Sequence, residues 1–276
     1  MTVSRETFDF VRHLVEEHSG TTLDENKSYL VDSRLLPMAK ESGVDSVDAF
    51  IRRMRSHSDM ASQRRVVETM MTHETSFFRD PHYYETLSDR ILPELIARRQ
   101  LERRLSIWCA ACASGQEAYS MAMLLHDRFP GLLDSWDIQL IATDFSRQMI
   151  ERASAGTFRE VEIRRGLNER QLSLHFQQIG RDWQISHQLR QMVQFREHNL
   201  MNELRLAAPL DLILLRNALI YMVDEARIQI LQQIKTQLRP DGYLVLGASE
   251  TVFDLDTAFE SVTAGMARYY RISATR

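Results

Sequence analysis

The side chains best placed to do chemistry follow a short apolar segment late in the chain. Residues 210–222 have the sequence LDLILLRNALIYM, in which an apolar run ends at Arg216 and Asn217, and Tyr221 comes four residues after Asn217. A short apolar run between polar residues predicts a strand that is buried on both faces of a parallel sheet. Ligands of open α/β sheets bind in the crevice beyond the carboxyl ends of such strands. We therefore expect these polar side chains to lie in a binding or catalytic site.

A second candidate is the segment CAACASGQEAYS at residues 109–120, directly after the first predicted strand. Its small side chains let a ligand approach the backbone, and the following helix supplies free N–H groups. Gly115 is its only glycine, so the dinucleotide fingerprint is missing. The Glu117 carboxylate suits a ligand with an ammonium group; alternatively, it is a first-turn carboxylate favoured by the helix dipole. Cys109 and Cys112 have no second cysteine pair with which to bind zinc, and we interpret them as packing residues.

Asp144 is the third candidate, because it ends the predicted strand that contains LIATD and precedes a predicted helix. An acidic residue at this point of a nucleotide-binding sheet commonly binds both hydroxyls of a ribose. The same side chain can cap the helix that follows. The two interpretations are compatible.

The segment THETSFFRD at residues 72–80 precedes the α/β region and presents one guanidinium, that of Arg79, after two phenylalanines. Arginine is suited to bidentate binding of carboxylates, although an exposed surface arginine is the alternative. His73 and Glu74 have no further ligands nearby at metal-binding spacing. We therefore predict no metal site.

Residues 1–70 predict helices only, in a small domain of their own. Ser4 can cap the first helix and Gly20 can end it. The third predicted helix carries three arginines: Arg52, Arg53 and Arg55. Such a run is usually a solvated face; in a helical domain beside a catalytic one it can also dock an acidic helical partner.

From residue 105 onwards, strand and helix patterns alternate, which predicts a doubly wound α/β sheet. The predicted strands are 105–109, 138–143, 193–197, 212–215, 243–247 and about 267–272. The chain between about residues 155 and 193 is longer than a crossover needs. Within it, 182–186 and 189–195 are predicted to pair as a small antiparallel insertion.

The composition limits the classes of partner. Of 276 residues, 44% are hydrophobic and 26% charged, as is ordinary for a globular protein, and the net charge of −4 disfavours nucleic acid and anionic membranes. No apolar run approaches the roughly 20 residues that span a bilayer. The N-terminus does not have the pattern of a signal peptide. The default expectation is a cytoplasmic protein, and a monomer is the simplest oligomeric state.

Four motifs together resemble the chemoreceptor glutamate methyltransferases, the CheR family, over nearly the whole chain. The family motif T-N-x-T-x-F-F-R corresponds to THETSFFR at 72–79, and the family's cofactor loop resembles CAACASGQEAYSMAM at 109–123. R-N-x-x-I-Y occurs at 216–221, and RPDGYLVLGASE at 239–250 is similar to K-P-G-G-L-hydrophobic-G-H-S-E. His73 replaces the usual Asn, and Ala248 replaces the common His.

The resemblance implies a Rossmann-like methyltransferase domain at 71–276 with a β-subdomain inserted at about 158–196, after a helical receptor-docking domain at 1–70. It implies S-adenosylmethionine (AdoMet) as methyl donor, S-adenosyl-L-homocysteine as product, and esterification of receptor glutamates. The cofactor positions that it implies are His73, Thr75, Arg79, Glu117, Asp144, Asn199, Leu200, Arg216 and Asn217. Arg79 and Tyr221 match the family's catalytic positions. Arg52, Arg53 and Arg55 would meet the receptor's methylation helices, and the β-subdomain resembles one that binds a receptor's C-terminal pentapeptide in some members.

Two other classes of function compete. The first is a Rossmann-type methyltransferase for a small molecule or a nucleic acid. The net acidity opposes a nucleic-acid substrate. The helical domain opposes a small-molecule substrate, because it has no pattern that would form a pocket. The second is an adaptor that binds AdoMet without catalysis. Arg79, Asn217 and Tyr221 oppose the adaptor, because a protein that had lost catalysis would have no chemical need to keep all three.

Overall fold

The computed structural model describes residues 3–57, 59–204, 206, 208–253 and 255–273. Its backbone contacts divide the chain into a first unit, Met1–Thr72 with Tyr221–Gln229, and a second unit, His73–Ile220 with Ile230–Arg276. None of the helices in the described ranges combines the length and apolarity needed to cross a bilayer.

The first unit is helical. Its helices are α1 (Arg5–Ser19), α2 (Ser28–Glu41), α3 (Val47–Ser56) and α4 (Met60–Met70). The Ser4 hydroxyl accepts the Thr7 N–H at 3.2 Å, and Gly20 ends α1 with a φ of 69°, so the sequence predicted both ends of this helix correctly. The later segment 221–229 belongs to this unit because Met222 forms an antiparallel bridge with Thr21.

The second unit contains a large sheet flanked by helices. The helices that follow α4 are α5 (Pro81–Thr86), α6 (Leu92–Arg98), α7 (Gln116–Arg128), α8 (Pro130–Leu133), α9 (Arg147–Ala155), α10 (Glu160–Ile163), α11 (Glu169–His175), α12 (His187–Met192) and α13 (Asp224–Gln237), whose residues up to Gln229 belong to the first unit. The strands are β1 (Arg104–Ala110), β2 (Asp137–Asp144), β3 (Thr157–Arg159), β4 (Phe176–Ile179), β5 (Asp182–Ile185), β6 (Val193–Glu197), β7 (Leu210–Leu215), β8 (Leu238–Leu246), β9 (Phe259–Ala264) and β10 (Ala267–Ile272).

Seven strands form the large sheet in the order β6-β2-β1-β7-β8-β10-β9. The pairs from β6 to β8 are parallel, and β10 is antiparallel to both of its neighbours. All six residues of β7 are buried, as the apolar run predicted. The strand order reverses between β1 and β7, which places the expected ligand crevice beyond the carboxyl ends of these two strands. The predicted doubly wound α/β fold is confirmed.

The insertion forms a second, antiparallel sheet in the order β3-β5-β4. The predicted strand 182–186 corresponds to β5, but the prediction that 189–195 pairs with it is wrong. The Ser186 hydroxyl accepts the Leu189 N–H at 3.4 Å and starts α12, and Val193 then begins β6, which joins the large sheet beside β2. The partners of β5 are β3 and β4, and neither these strands nor β9 were predicted from the sequence.

Candidate functional site

The loop between β1 and α7 has an unusual backbone. Ala111, Ala113 and Gly115 have φ angles of 56°, 47° and 93°, a region that alanine rarely adopts and that is common at functional sites. Gly115 is required for packing as well, since an added Cβ would lie 2.9 Å from the Ala153 Cβ. The conformation directs the Ala113 N–H to an Asp144 carboxylate oxygen at 2.8 Å. Small residues therefore line this loop where it meets the buried carboxylate of Asp144.

Asp144 lies at the carboxyl end of β2 and is only 5% exposed. Its second carboxylate oxygen accepts the Ser146 N–H at 2.9 Å, and the His73 Nε2 lies 3.9 Å from that oxygen. Burial raises the pKa of this carboxyl despite these favourable neighbours. Each carboxylate oxygen can accept more than one hydrogen bond. The two oxygens can therefore still accept hydrogen bonds from the two neighbouring hydroxyls of a ribose.

Arg216 connects three elements from a nearly buried position, with 3% of its side chain exposed. Its guanidinium donates to Glu117 Oε2 at 3.2 Å, to Asp80 Oδ2 at 2.8 Å and to the Arg79 carbonyl at 2.8 Å. It also lies 5.0 Å from the centre of the Tyr83 ring. Among these contacts one guanidinium is shared by two carboxylates, so a ligand that carries positive charge can pair with them as well.

Glu117 is the more enclosed of the two carboxylates that Arg216 contacts, with 12% of its side chain exposed against 30% for Asp80. Burial raises the pKa of the Glu117 carboxyl above its usual range, although Arg216 opposes the shift. A carboxylate in this environment gains from a further cationic partner, because one guanidinium is shared between two acids. The ammonium expected from the sequence is such a partner.

Glu250 holds the turn that carries Asn217 and was not among the predicted site residues. It is 6% exposed and accepts backbone N–H groups from Asn217 at 2.6 Å, Gly247 at 2.7 Å and Ile220 at 3.2 Å. Asn217 has a φ of 59°, so these bonds stabilise an otherwise unfavourable turn. The signal in the sequence was an acidic residue three positions after the apolar run YLVLG.

The segment that carries Arg79 is fixed by its two phenylalanines. Phe77 is fully buried and contacts Phe158 and Phe176 edge to face, with ring centres 5.0 and 5.5 Å apart. The Phe78 N–H donates to the Ser120 hydroxyl on α7 at 2.9 Å. Arg79, which follows, uses one guanidinium nitrogen to donate to the Glu74 carbonyl at 3.1 Å. Because a guanidinium has five N–H donors, the other donors of Arg79 can still bind an anionic ligand.

Asn199 and Leu200 follow β6, the strand next to β2. The His198 N–H donates to the Asp144 carbonyl at 2.9 Å, which brings this segment to the edge where Asp144 lies. The Asn199 side chain accepts the Met201 N–H at 3.0 Å, and Leu200 is 8% exposed. The segment can therefore offer both an amide and an apolar surface to a ligand that Asp144 binds.

All nine predicted cofactor residues lie in the second unit, and Thr75 is half-buried there. Tyr221 belongs to the first unit; it ends a 3₁₀ turn, and its carbonyl accepts the Thr22 N–H at 2.8 Å. The predicted docking arginines are exposed on α3. Arg53 donates to the Ser42 carbonyl at 2.8 Å, and Arg55 pairs with Glu6 at 2.6 Å.

Two family models match the chain. The model described as "CheR methyltransferase, SAM binding domain" matches residues 73–267, and "CheR methyltransferase, all-alpha domain" matches residues 6–71. The chain belongs to the CheR methyltransferase family. The resemblance inferred from the four motifs is thereby confirmed, and so is AdoMet as the cofactor.

Two curated relatives match this CheR chain along nearly their full length. "Chemotaxis protein methyltransferase 1" of Pseudomonas aeruginosa is 36% identical over 276 residues, which cover 98% of this chain and 99% of the relative. "Chemotaxis protein methyltransferase" of Vibrio parahaemolyticus is 35% identical over 277 residues, covering 99% and 98%. The similarity therefore includes the helical unit as well as the cofactor domain.

The residues of this CheR site fit AdoMet. Arg216 Nε is buried and has no hydrogen-bond acceptor among the described residues, so a polar ligand atom would satisfy it. The excess of carboxylates over guanidinium suits a cofactor that carries both an ammonium and a sulfonium. Asp144, in turn, can receive the ribose hydroxyls.

Gly247 gives a first prediction for this site. A Cβ at Gly247 would lie 2.6 Å from Asn217 Nδ2 and 2.7 Å from Glu250 Oε2. Gly247→Ala should therefore shift the Asn217 turn, weaken AdoMet binding, and destabilise the fold by about 1–3 kcal/mol, as overpacking does. Gly131→Ala is the matched control, because a Cβ at Gly131 meets nothing within 4 Å. Calorimetric titration with AdoMet and urea unfolding measure the two effects; equal behaviour of the variants would contradict the role given to Gly247.

Proposed function

We propose that this CheR protein transfers the methyl group of AdoMet to glutamate side chains of chemoreceptors, forming methyl esters in chemotactic adaptation. The observation that carries the proposal is the buried Arg216 between Glu117 and Asp80. This arrangement fits a cationic methyl donor. The relatives that match along their full length are named chemotaxis protein methyltransferases, which supports a chemoreceptor as the acceptor.

The acceptor chemistry requires no general base. The side chain of an exposed glutamate has a pKa of about 4.3 and is already ionised at neutral pH. Bound AdoMet supplies a methyl group on a positively charged sulfur. Attack by the carboxylate oxygen would form the ester O–C bond as the S–C bond breaks and S-adenosyl-L-homocysteine leaves. Because this step would join an anion to a cation and disperse charge, the protein would contribute mainly by excluding water and aligning the two reactants.

Arg79 and Tyr221 are the residues that we propose for orienting the acceptor. The Arg79 guanidinium would attract the glutamate carboxylate, and the Tyr221 hydroxyl would orient its attacking oxygen by a hydrogen bond. Neither contact should be strong, because tight binding of the carboxylate would lower its reactivity. The Phe77 packing and the Ser120 bond to Phe78 support the proposal for Arg79, since they fix the backbone that carries it.

The test is methyl transfer from radiolabelled AdoMet to chemoreceptor-containing membranes, measured as methanol released by alkali. We expect base-labile label on the receptor band with the wild-type protein and a large loss with Arg79→Ala even at a saturating AdoMet concentration, because Arg79 is proposed to orient the acceptor as well as to contact the cofactor. AdoMet binding without transfer to any receptor would support the adaptor. Label on a small molecule or nucleic acid would support the other methyltransferase classes.

Receptor docking is proposed for the exposed arginines of α3. We expect Arg53→Glu to abolish receptor methylation while leaving AdoMet affinity unchanged, because the reversed charge would repel acidic methylation helices. Arg5→Glu is the matched control, since Arg5 is an arginine of the same unit with 86% of its side chain exposed. Initial rates over a series of receptor concentrations separate docking from chemistry; unchanged rates for Arg53→Glu would refute the docking role.

The antiparallel insertion is proposed as a second receptor contact. Its sheet order leaves β3 and β4 as edge strands, and an edge strand can add an extended peptide through backbone hydrogen bonds. A receptor's C-terminal pentapeptide is the ligand that we propose for it. We also propose that the protein acts in the cytoplasm as a monomer.

A further inference from the structure

Two histidines and an aspartate meet at a place far from the cofactor loop. His126 and Asp127 lie in the last turn of α7, and His175 is the last residue of α11. His126 Nδ1 lies 3.0 Å from Asp127 Oδ1, and His175 Nε2 lies 2.9 Å from the same oxygen. His126 lies ten positions after Gln116 on α7, about 15 Å along the helix axis.

The three side chains differ in how far they are exposed to solvent. The His175 side chain is 2% exposed, whereas those of His126 and Asp127 are 28% and 27% exposed. The two imidazole rings meet edge to face with centres 5.3 Å apart. One wall of the cluster is therefore fixed inside the protein, and the other is open to solvent.

We propose that His126, Asp127 and His175 form a binding site for a zinc-type divalent cation, with water as the fourth ligand. Two imidazole nitrogens and one carboxylate oxygen are a donor set that zinc accepts, with bonds of about 2.0–2.2 Å. Ligand atoms around a tetrahedral zinc ion are roughly 3.3 Å apart. The three ligand atoms lie within 4.8 Å of one another, so small side-chain shifts place them around an ion.

The same contacts have a second explanation, a metal-free network in which both rings donate an N–H to Asp127. Binding of a cation needs a lone pair on each of these nitrogens, so each ring proton moves to the other ring nitrogen. Neutral histidines make this change without net loss of a proton. The two explanations differ in one measurable property, which is the affinity of the whole chain for zinc.

A cation here would join two parts of the second unit. α7 contacts β2 and β6 of the large sheet, whereas α11 leads directly into β4 of the antiparallel insertion. His175 is separated from Asp127 by 48 residues of sequence, so the ion would close a long loop. The consequence is an insertion whose position depends on bound metal.

The experiment uses the full chain, prepared without a polyhistidine tag and freed of metal with a chelator. Calorimetric titration with Zn²⁺ should show one equivalent bound, and Co²⁺ should give the visible absorption of a tetrahedral site. His126→Gln should weaken zinc binding by at least about 100-fold, more than the roughly tenfold to 100-fold loss from removing a hydrogen-bond partner of a ligand. Zinc should raise the thermal unfolding temperature of the wild type and leave that of His126→Gln unchanged.

The matched control is His13→Gln. His13 is a helical histidine that lies 3.9 Å from the carboxylate of Glu17, with 80% of its side chain exposed. This variant should bind zinc as the wild type does. The proposal is overturned if the wild type binds no zinc, or if His126→Gln and His13→Gln bind it equally. AdoMet binding by both variants verifies that they are folded.

Discussion

Arg216→Ala should lower the free energy of unfolding by about 3–5 kcal/mol and abolish measurable AdoMet binding. The guanidinium is nearly buried between Glu117 and Asp80, and its removal leaves two carboxylates with no cation in contact on that side. It also removes the donor to the Arg79 carbonyl, which helps to hold the segment that carries Arg79. Urea unfolding and calorimetric titration with AdoMet measure the two effects.

The control for Arg216 is Arg147→Ala. Arg147 pairs with Glu151 at 3.0 Å, but with 74% of its side chain exposed, and exposed pairs contribute about 0–1 kcal/mol. Arg216→Lys separates charge from geometry. It should recover part of the stability and little of the AdoMet affinity, because one ammonium does not reproduce the fork that reaches three acceptors. If the free energy of unfolding of Arg216→Ala lies within about 1 kcal/mol of the wild-type value, the two carboxylates do not need Arg216 to remain in the folded protein.

The second large effect is expected for Asp144→Asn, which should weaken AdoMet binding by about tenfold to 100-fold. Hydrogen bonds to a charged acceptor contribute about 1.5–3 kcal/mol, and about 1.4 kcal/mol corresponds to a tenfold change in affinity. The amide also places an NH₂ group against the Ala113 or Ser146 N–H, whose present acceptors are the two carboxylate oxygens. Asp137→Asn, at the opposite end of β2 with 60% of its side chain exposed, should bind AdoMet as the wild type does.

Lowering the pH should weaken AdoMet binding, as the substitution of Asp144 is expected to do. Burial raises the pKa of both Asp144 and Glu117, so each takes up its proton at a higher pH than an exposed carboxyl does. Below these raised pKa values both groups are neutral, and AdoMet affinity should fall as the pH falls through them. Titrations at a series of pH values on the wild type and on Asp144→Asn measure the effect. A wild-type affinity that is constant down to the ordinary carboxyl pKa would contradict the assignment of the two acids to the cofactor.

Local patterns in the sequence were sufficient for much of the structure. The apolar run of β7 depends only on neighbouring residues, and so do the Ser4 and Gly20 ends of α1. The order of four motifs was sufficient for the family and the cofactor. These features were predictable because their causes lie within a few residues of one another. The roles of the individual site residues remain predictions.

Tertiary structure decided the features that depend on distant partners. Residues 193–197 were predicted as a strand, but residues 193–195 were also assigned to the insertion. All five join the large sheet as β6 because β2 offers an edge to pair with, and β4 forms because β5 offers one. Glu250 acquires its role only when the Asn217 turn lies beside it, 33 residues away in sequence. His175 likewise meets Asp127 only because the insertion folds against the end of α7. A sequence pattern records which residues are apolar, polar or helix-ending, whereas a hydrogen bond between distant segments depends on which strands and helices the fold places side by side.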